Sequence, residues 1–229
     1  FSLVHSHMIS EGLFVNMSEA EACNRTGNMI EYAMLKDINL QAWSPLMATW
    51  EDGCFIDNPK YDSRDNCNAI IETATNTLIN GCKSTIIPNT VTSIGRDAFY
   101  NLNSLTSITI PSSVISIEEW AFYACYSLSS VSFAANSQLT SIGDWAFGTC
   151  NKLTSITIPS SVTSIGFYAF IGCTALTSIT FDDTSTWYRT TNKTNWANKT
   201  GGTQTTVTTA RTNAIYFKST YSQYYWYKI

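Results

Sequence analysis

The sequence predicts an α/β repeat solenoid, mostly short strands with short helical turns, preceded by an incomplete α/β-barrel fragment. Three observations carry this reading. An Ala-Phe pair returns at Ala98-Phe99, Ala121-Phe122, Ala146-Phe147 and Ala169-Phe170, in steps of 23, 25 and 23 residues. Other columns keep the same steps: Ile94, Ile117, Ile142 and Ile165, then Leu102, Cys125, Cys150 and Cys173. Composition also changes abruptly near residue 61: the five methionines, His5 and His7 all precede it, whereas 29 threonines follow it. A period shared by so many columns marks stacked supersecondary units, and the seam separates them from an unrelated first segment.

Residues 1–61 begin with a helix-compatible stretch over 19–35 and a strand over 36–43. The strand ends at a Ser44-Pro45-Leu46 corner, an arrangement that suits one unit of an α/β barrel. Residues 62–81 read as a hairpin turning at Ala74-Thr75-Asn76, which would cover the open end of a stack, as a terminal cap must. The full units are 82–104, 105–127, 128–152 and 153–175, with a partial unit at 176–181. In each, a run such as Leu153-Thr-Ser-Ile-Thr-Ile158 alternates apolar and polar residues, the mark of a half-buried strand. Pro159 ends that strand because it has no N–H to donate. Val162-Thr-Ser-Ile165 supplies a second short extended piece. Tyr168, Ala169, Phe170 and Cys173 then fall at helical or 3₁₀ spacing.

One unit cannot bury its own apolar edge, but stacked units share a core. Phe99, Phe122, Phe147 and Phe170 are therefore expected to form a spine, and Ile108, Val131, Ile156 and Ile179 a strand ladder. The third unit departs from the pattern: Ser132-Phe-Ala-Ala-Asn-Ser-Gln138 replaces the proline turn, adds two residues and predicts a local bulge. Residues 182–229 are rich in Thr, Asn and Tyr. Strands are expected at Trp187-Tyr-Arg189 and Tyr224-Tyr-Trp-Tyr-Lys-Ile229, with Ala214, Phe217 and Tyr221 at helical spacing between them. This tail reads either as an aromatic C-terminal cap or as an exposed aromatic platform for a sugar or protein ligand.

Composition excludes several functions. The 229 residues carry a net charge of −4 without a basic patch, which argues against nucleic acid. No apolar run approaches the roughly 18 residues of a membrane span. The first nine residues lack the basic start and small-residue cleavage site of a signal peptide; the chain begins with Phe1 and reads as a piece whose true start is missing. Seven cysteines include no C-x-x-C pair, so no metal site is expected. Cys125, Cys150 and Cys173 share one column and read as core thiols, while Cys67 and Cys82 flank the hairpin closely enough to pair. Glu118-Glu119 and Asp182-Asp183 read as solvated loop charges. Asn16, Asn24, Asn192 and Asn198 match the glycosylation pattern by chance.

The unit L-T-S-I-T-I-P-S-S-V-T-S-I-G-x-x-A-F-x-x-C resembles the BspA-type leucine-rich repeats of bacterial surface proteins, over about residues 58–229. The resemblance implies a non-enzymatic, leucine-rich-repeat-like module that binds a protein or cell-surface ligand, often in adhesion. Residues 32–46, Y-A-M-L-K-D-I-N-L-Q-A-W-S-P-L, resemble the late barrel of an aldo/keto reductase. That likeness implies that Trp43, Ser44 and Leu46 lie against an NADP cofactor, with Trp43 stacked on its ring. The family's catalytic Tyr, Lys, Asp and His come from earlier strands without counterparts here. The expectation is thus no catalytic residue and no cofactor, with NADP relevant only to a complete barrel. A remnant, inactive reductase is the alternative reading. The string Asn58-Pro-Lys-Tyr61 suits both parents and marks a join made by recombination or in assembly of the source sequence. The repeat half implies the cell surface or secretion and the reductase-like half the cytoplasm.

The positions that vary between units, Arg96, Asp97, Glu118, Glu119, Asp144, Trp145, Phe167 and Tyr168, read either as the seat of partner choice or as plain loop surface. With the tail aromatics included, the candidate binding surface is Trp145, Tyr168, Trp187, Tyr225 and Trp226.

Overall fold

A computed structural model describes residues 60–183, 185–207 and 209–229. The barrel-like segment, with Trp43, Ser44, Leu46, His5 and His7, lies outside the described residues. Within them, the units 105–127, 128–152 and 153–175 each contribute two strands, and 82–104 and 176–181 one each. The alternating run forms β5 (Ser107–Ile110), β7 (Ser130–Phe133), β9 (Ser155–Ile158) and β11 (Ser178–Phe181). In β5 and β9 the Ser and Thr side chains are exposed and the isoleucines buried, as alternation on a pleated strand requires. The second extended piece forms the two-residue strands β4 (Ser93–Ile94), β6 (Ser116–Ile117), β8 (Ser141–Ile142) and β10 (Ser164–Ile165). These pair parallel and in register, Ile94 to Ile117, Ile117 to Ile142 and Ile142 to Ile165. Between the two strands, Pro88, Pro111 and Pro159 accept the N–H of Val91, Val114 and Val162 at 3.0–3.2 Å, closing a tight turn in place of a ladder bond.

The helical turn expected after each second strand is absent, and the α/β class is corrected to a β-solenoid of about four turns with little helix. The cause is backbone conformation. Asp97, Trp120, Trp145 and Tyr168 have φ of 57–60°, and four residues later Asn101, Ala124, Thr149 and Gly172 have φ of 57–71°. A left-handed residue at every fourth position cannot sit in a right-handed helix, which needs φ near −63° throughout. The N–H groups instead reach the next unit: Phe99 donates to the Ala121 carbonyl at 2.7 Å, Phe122 to Ala146 at 2.8 Å and Phe147 to Ala169 at 2.8 Å. The turns thus hydrogen-bond between units as strands do.

The core follows the columns. Phe99, Phe122, Phe147 and Phe170 are fully buried, with successive ring centroids 4.9, 5.1 and 5.4 Å apart and planes within 9° of parallel. Beside the spine runs a thiol ladder. Cys125, Cys150 and Cys173 direct Sγ at the carbonyls of Phe99, Phe122 and Phe147, at 3.0, 3.2 and 3.0 Å. A small apolar side chain with a weak donor suits a site beside a carbonyl. Burial pushes the Cys125 thiol up to about 12, and the neighbouring Cys173 thiol, together with burial, raises Cys150. Such thiols are structural, because nucleophilic chemistry needs the thiolate. Cys67 and Cys82 are also buried, at the hairpin end.

The hairpin pairs β2 (Ala69–Glu72) with β3 (Thr77–Gly81), turns through Asn76 at φ 52°, and gains an outer strand β1 (Tyr61–Asp62). β3 then lies parallel to β4, Leu78 opposite Ile94, so the hairpin supplies the rung below the first unit.

At the far end, the tail folds into β12 (Trp187–Thr190), α1 (Lys193–Ala197), β13 (Thr203–Thr205), α2 (Ala210–Ile215) and β14 (Tyr225–Lys228). Asn192 caps α1 by accepting the Asn195 N–H at 3.0 Å. α2 runs on through a π-helical turn, Tyr216–Thr220, whose Phe217 meets Phe170 edge-on at 6.0 Å and closes the spine. β14 pairs antiparallel with β10, Trp226 opposite Ile165. Among the described residues, one ten-stranded sheet therefore runs through both caps, in the order β1-β2-β3-β4-β6-β8-β10-β14-β12-β13.

A part-buried ion pair ties the end of the cap to the stack. Lys228, its side chain 9% exposed, bonds the Asp183 carboxylate, which is 25% exposed, and the Ser160 carbonyl. Burial alone would raise the Asp183 carboxyl, but Lys228 and Ser185 outweigh it and hold the group below its ordinary value. A depressed folded pKa means that this stabilisation is complete above the unfolded carboxylate's value, about 3.9. It is lost as pH falls through the lower folded value. Asp183→Asn is expected to cost about 3 kcal/mol at neutral pH, since Lys228 stays buried without its counter-charge. The variant's thermal midpoint should also fall less steeply than the parent's on acidification. Parallel acid limbs would refute the assignment.

Candidate binding surface

The left-handed column sets the surface chemistry of the turn edge. Its members are Asp97, Trp120, Trp145 and Tyr168. A left-handed L-residue costs roughly 1–2 kcal/mol unless it is Gly or a small polar residue such as Asn or Asp. Asp97 follows that rule. The next three units instead place a bulky aromatic there, where packing alone does not require one: all three side chains are only half-buried.

Trp145 and Tyr168 join a continuous row of rings. Tyr100 and Tyr123 stack at 5.4 Å, Tyr123 meets Trp145 edge-on at 5.8 Å, and Trp145 meets Tyr168 at 4.5 Å. Phe167 lies 4.1 Å from Tyr168 and 5.4 Å from Tyr225, which in turn lies 5.0 Å from Trp196 of the cap. At the other end the Arg96 guanidinium sits 4.5 Å above the Trp120 ring, a cation–π contact.

Charges along this edge are paired. Arg96 bonds Glu119 at 3.0 Å, and Lys193 lies 3.4 Å from Asp144. Asp144 also accepts the Phe167 N–H at 2.9 Å. Attraction to Asp144 raises the Lys193 ammonium above its usual range. Burial lifts the Asp97 carboxyl, with Arg96 opposing. Glu118 accepts from Ser93 Oγ at 2.8 Å, so the Glu118-Glu119 pair is divided between two surface partners rather than forming an acid/base couple. The result is an aromatic strip whose flanking Arg96 and Lys193 are paired with Glu119 and Asp144.

The structure sets Arg96 beside Glu119, Asp144 beside Phe167 and Trp145 beside Tyr168. It corrects part of the five-residue aromatic surface. Trp187 and Trp226 are 0% and 1% exposed and form the core of the cap, where Trp187 packs on Phe181 and Trp226 on Phe217. Tyr225 is buried beneath Phe167 and Trp196 and supports the row from below. Tyr123 and Trp196 belong to the row and Trp120 to the left-handed column; all three are absent from the sequence-derived set. Trp120 was open to detection, since it shares a column with Trp145 and Tyr168 at steps of 25 and 23.

The opposite sheet face is a hydroxyl ladder, with Thr109 and Ser132 at 3.0 Å and Thr157 and Thr180 at 3.0 Å. Among the described residues no group of three His, Cys, Asp or Glu is placed to hold a metal ion, and no helix is long and apolar enough to cross a membrane.

Comparison with known proteins agrees with this periodicity. The family described as BspA type leucine rich repeat region matches residues 75–192 in six copies, more than half of the chain. The matched span takes in β3 and β12, beyond the 82–181 array, as the parallel pairing of β3 with β4 suggests. A search of curated proteins gave no match.

Among solved structures, a leucine-rich repeat protein from Bacteroides capillosus is 28% identical, with 55% of this chain and 96% of that one covered and a TM-score of 0.41. A leucine rich cell surface protein from Faecalibacterium prausnitzii is 29% identical over 63% of this chain and 43% of its own, TM-score 0.39. The pneumococcal vaccine antigen PcpA is 25% identical over 55% and 27%, TM-score 0.36. This chain spans less than half the length of the latter two. The six matched copies, which span more than half of the sequence, place the chain in the BspA-type leucine-rich repeat family.

Proposed function

We propose that the chain is a non-enzymatic binding module of the adhesion type, which engages a protein ligand on a cell surface through the aromatic row of its turn edge. The observation that carries this is the column of Trp120, Trp145 and Tyr168 at left-handed φ. Backbone strain is retained there at three successive units for side chains that stay half-exposed, and strain of this kind concentrates at functional sites. Trp and Tyr are also the residues that supply most binding energy at protein interfaces. A remnant NADP-dependent reductase would rest on residues 1–61 alone, with Trp43, Ser44 and Leu46 as its cofactor contacts. No feature of the stack favours it.

The test is saturation binding of the fluorescently labelled chain to intact cultured epithelial cells, before and after trypsin shaving of their surface. Binding is expected to be saturable, lost on shaving, and weakened about 30-fold or more by combined Trp120→Ala, Trp145→Ala and Tyr168→Ala, as for interface hot spots. Alanine suits these positions, because Ala124 already occupies a left-handed site in this array. Binding that the triple variant leaves intact would remove the row from the function.

A further inference from the structure

The array has one break, and it forms a second site. β5 pairs with β7 and β9 with β11, but β7 and β9 do not pair. The cause is local. Each formed pair is closed by a donor just past the strand, Ala134 N–H to the Ile110 carbonyl at 2.9 Å and Asp182 N–H to Ile158 at 3.0 Å. The corresponding donor for Phe133 would come from Pro159, which has none. The two extra residues of the third unit then swing out through Asn136 at φ 57°. Between the parted strands lies a groove of about 500 Å³.

The lining of this groove is selective. Ser130, Ser132, Ser155 and Thr157 expose hydroxyls into it, Asn136 stands on the loop rim, and Asp182 supplies one exposed carboxylate. The half-buried Phe133 is its aromatic wall. No Lys, Arg or His lines it, so an anionic ligand would meet only repulsion from Asp182. A fitting ligand is uncharged, carries several groups that both donate and accept hydrogen bonds, and offers a C–H face to a phenyl ring. We propose that the groove binds a neutral pyranose unit of a glycan, with Asp182 and Asn136 accepting and donating to its hydroxyls and Phe133 packed against its ring. The second groove, beside Lys83, Ile86 and Pro111, has no carboxylate or aromatic ring in its lining and does not fit this ligand.

The probes are lactose, maltose and cellobiose, each titrated into the ¹⁵N-labelled full chain to tens of millimolar, with amide shifts read by NMR. At least one is expected to saturate with a dissociation constant of about a millimolar. The shifts should be confined to 129–137, 155–157 and 182. The combined variant Asp182→Asn and Asn136→Gly should weaken binding about tenfold, because a sugar hydroxyl would lose a charge-assisted hydrogen bond. Both side chains are exposed, and glycine keeps the left-handed backbone, so folding is preserved; Phe133→Leu should weaken binding by a similar factor. Trp145→Ala should leave the titration unchanged, which separates this site from the aromatic row. Absence of a saturable shift with all three sugars, shifts centred on the aromatic row, or full retention of binding in the double variant would each overturn the proposal.

Discussion

Phe147→Ala is expected to lower the free energy of unfolding by about 3–5 kcal/mol, the range for deleting a fully buried phenyl ring. The residue is 0% exposed and stacks on both neighbours, at 5.1 Å on Phe122 and 5.4 Å on Phe170. Both neighbouring rings lie within 9° of its plane, so neither can rotate into the void without losing its own outer contact. In a stack whose units touch only their neighbours, a hole in the spine weakens two interfaces at once. The thermal midpoint should drop by roughly 6–20 °C for a folded unit of this size. Phe147→Leu should recover part of the loss because it refills most of the volume. Urea unfolding of the three proteins would read these differences, and a loss below about 1 kcal/mol for the alanine variant would mean the spine is not the core.

Gly81→Ala is expected to cost about 3 kcal/mol, the upper end for overpacking. A Cβ on Gly81 would lie 2.1 Å from Phe99 Cε1 and 2.5 Å from its Cζ. Relief by moving the ring is blocked, since Phe99 is fully buried and stacked on Phe122 at 4.9 Å. Relief by moving β3 would break the Gly81 N–H bond to the Ala98 carbonyl at 2.9 Å. The hairpin therefore meets the first rung of the spine through the one residue type that leaves room for it. In the double variant Gly81→Ala and Phe99→Leu the two losses should not add, with a coupling of at least about 1 kcal/mol between contacting residues. Additive losses would show that the clash is not the cause.

Much of this molecule is legible in the columns. The Phe spine, the Cys125, Cys150 and Cys173 ladder and the Ile94 to Ile165 strands occupy equivalent sites because each unit repeats the same apolar positions. The turn at Asn76 is legible because Asn tolerates positive φ. The helix expected near Phe170 is not formed, since apolar spacing cannot distinguish a helical turn from successive turns with left-handed residues. Trp120, Trp145 and Tyr168 give no local sign of positive φ. Nor do Trp187 and Trp226 announce that they face inward. Their burial depends on β14 crossing back to pair with β10, a contact made by 61 residues of sequence separation (Ile165 to Trp226) that no short-range pattern encodes. Of the candidate surface, the turn-edge members share columns that the sequence displays, whereas the burial of the tail members depends on that pairing.

The stack is periodic: each full unit supplies one phenylalanine to the spine, and each full unit after the first also supplies a thiol to the ladder and an aromatic side chain at the left-handed position. Deleting residues 105–127, one complete unit, should leave those columns in register, joining 104 to 128. That protein is expected to keep the parent's far-UV circular dichroism per residue and to unfold cooperatively at a lower midpoint, as a one-dimensional array does when shortened. Deleting 105–121 instead removes less sequence but breaks the register, and should give an unfolded or aggregated chain. If the in-register deletion unfolds while the shorter one folds, the stack is not periodic in the way the structure describes.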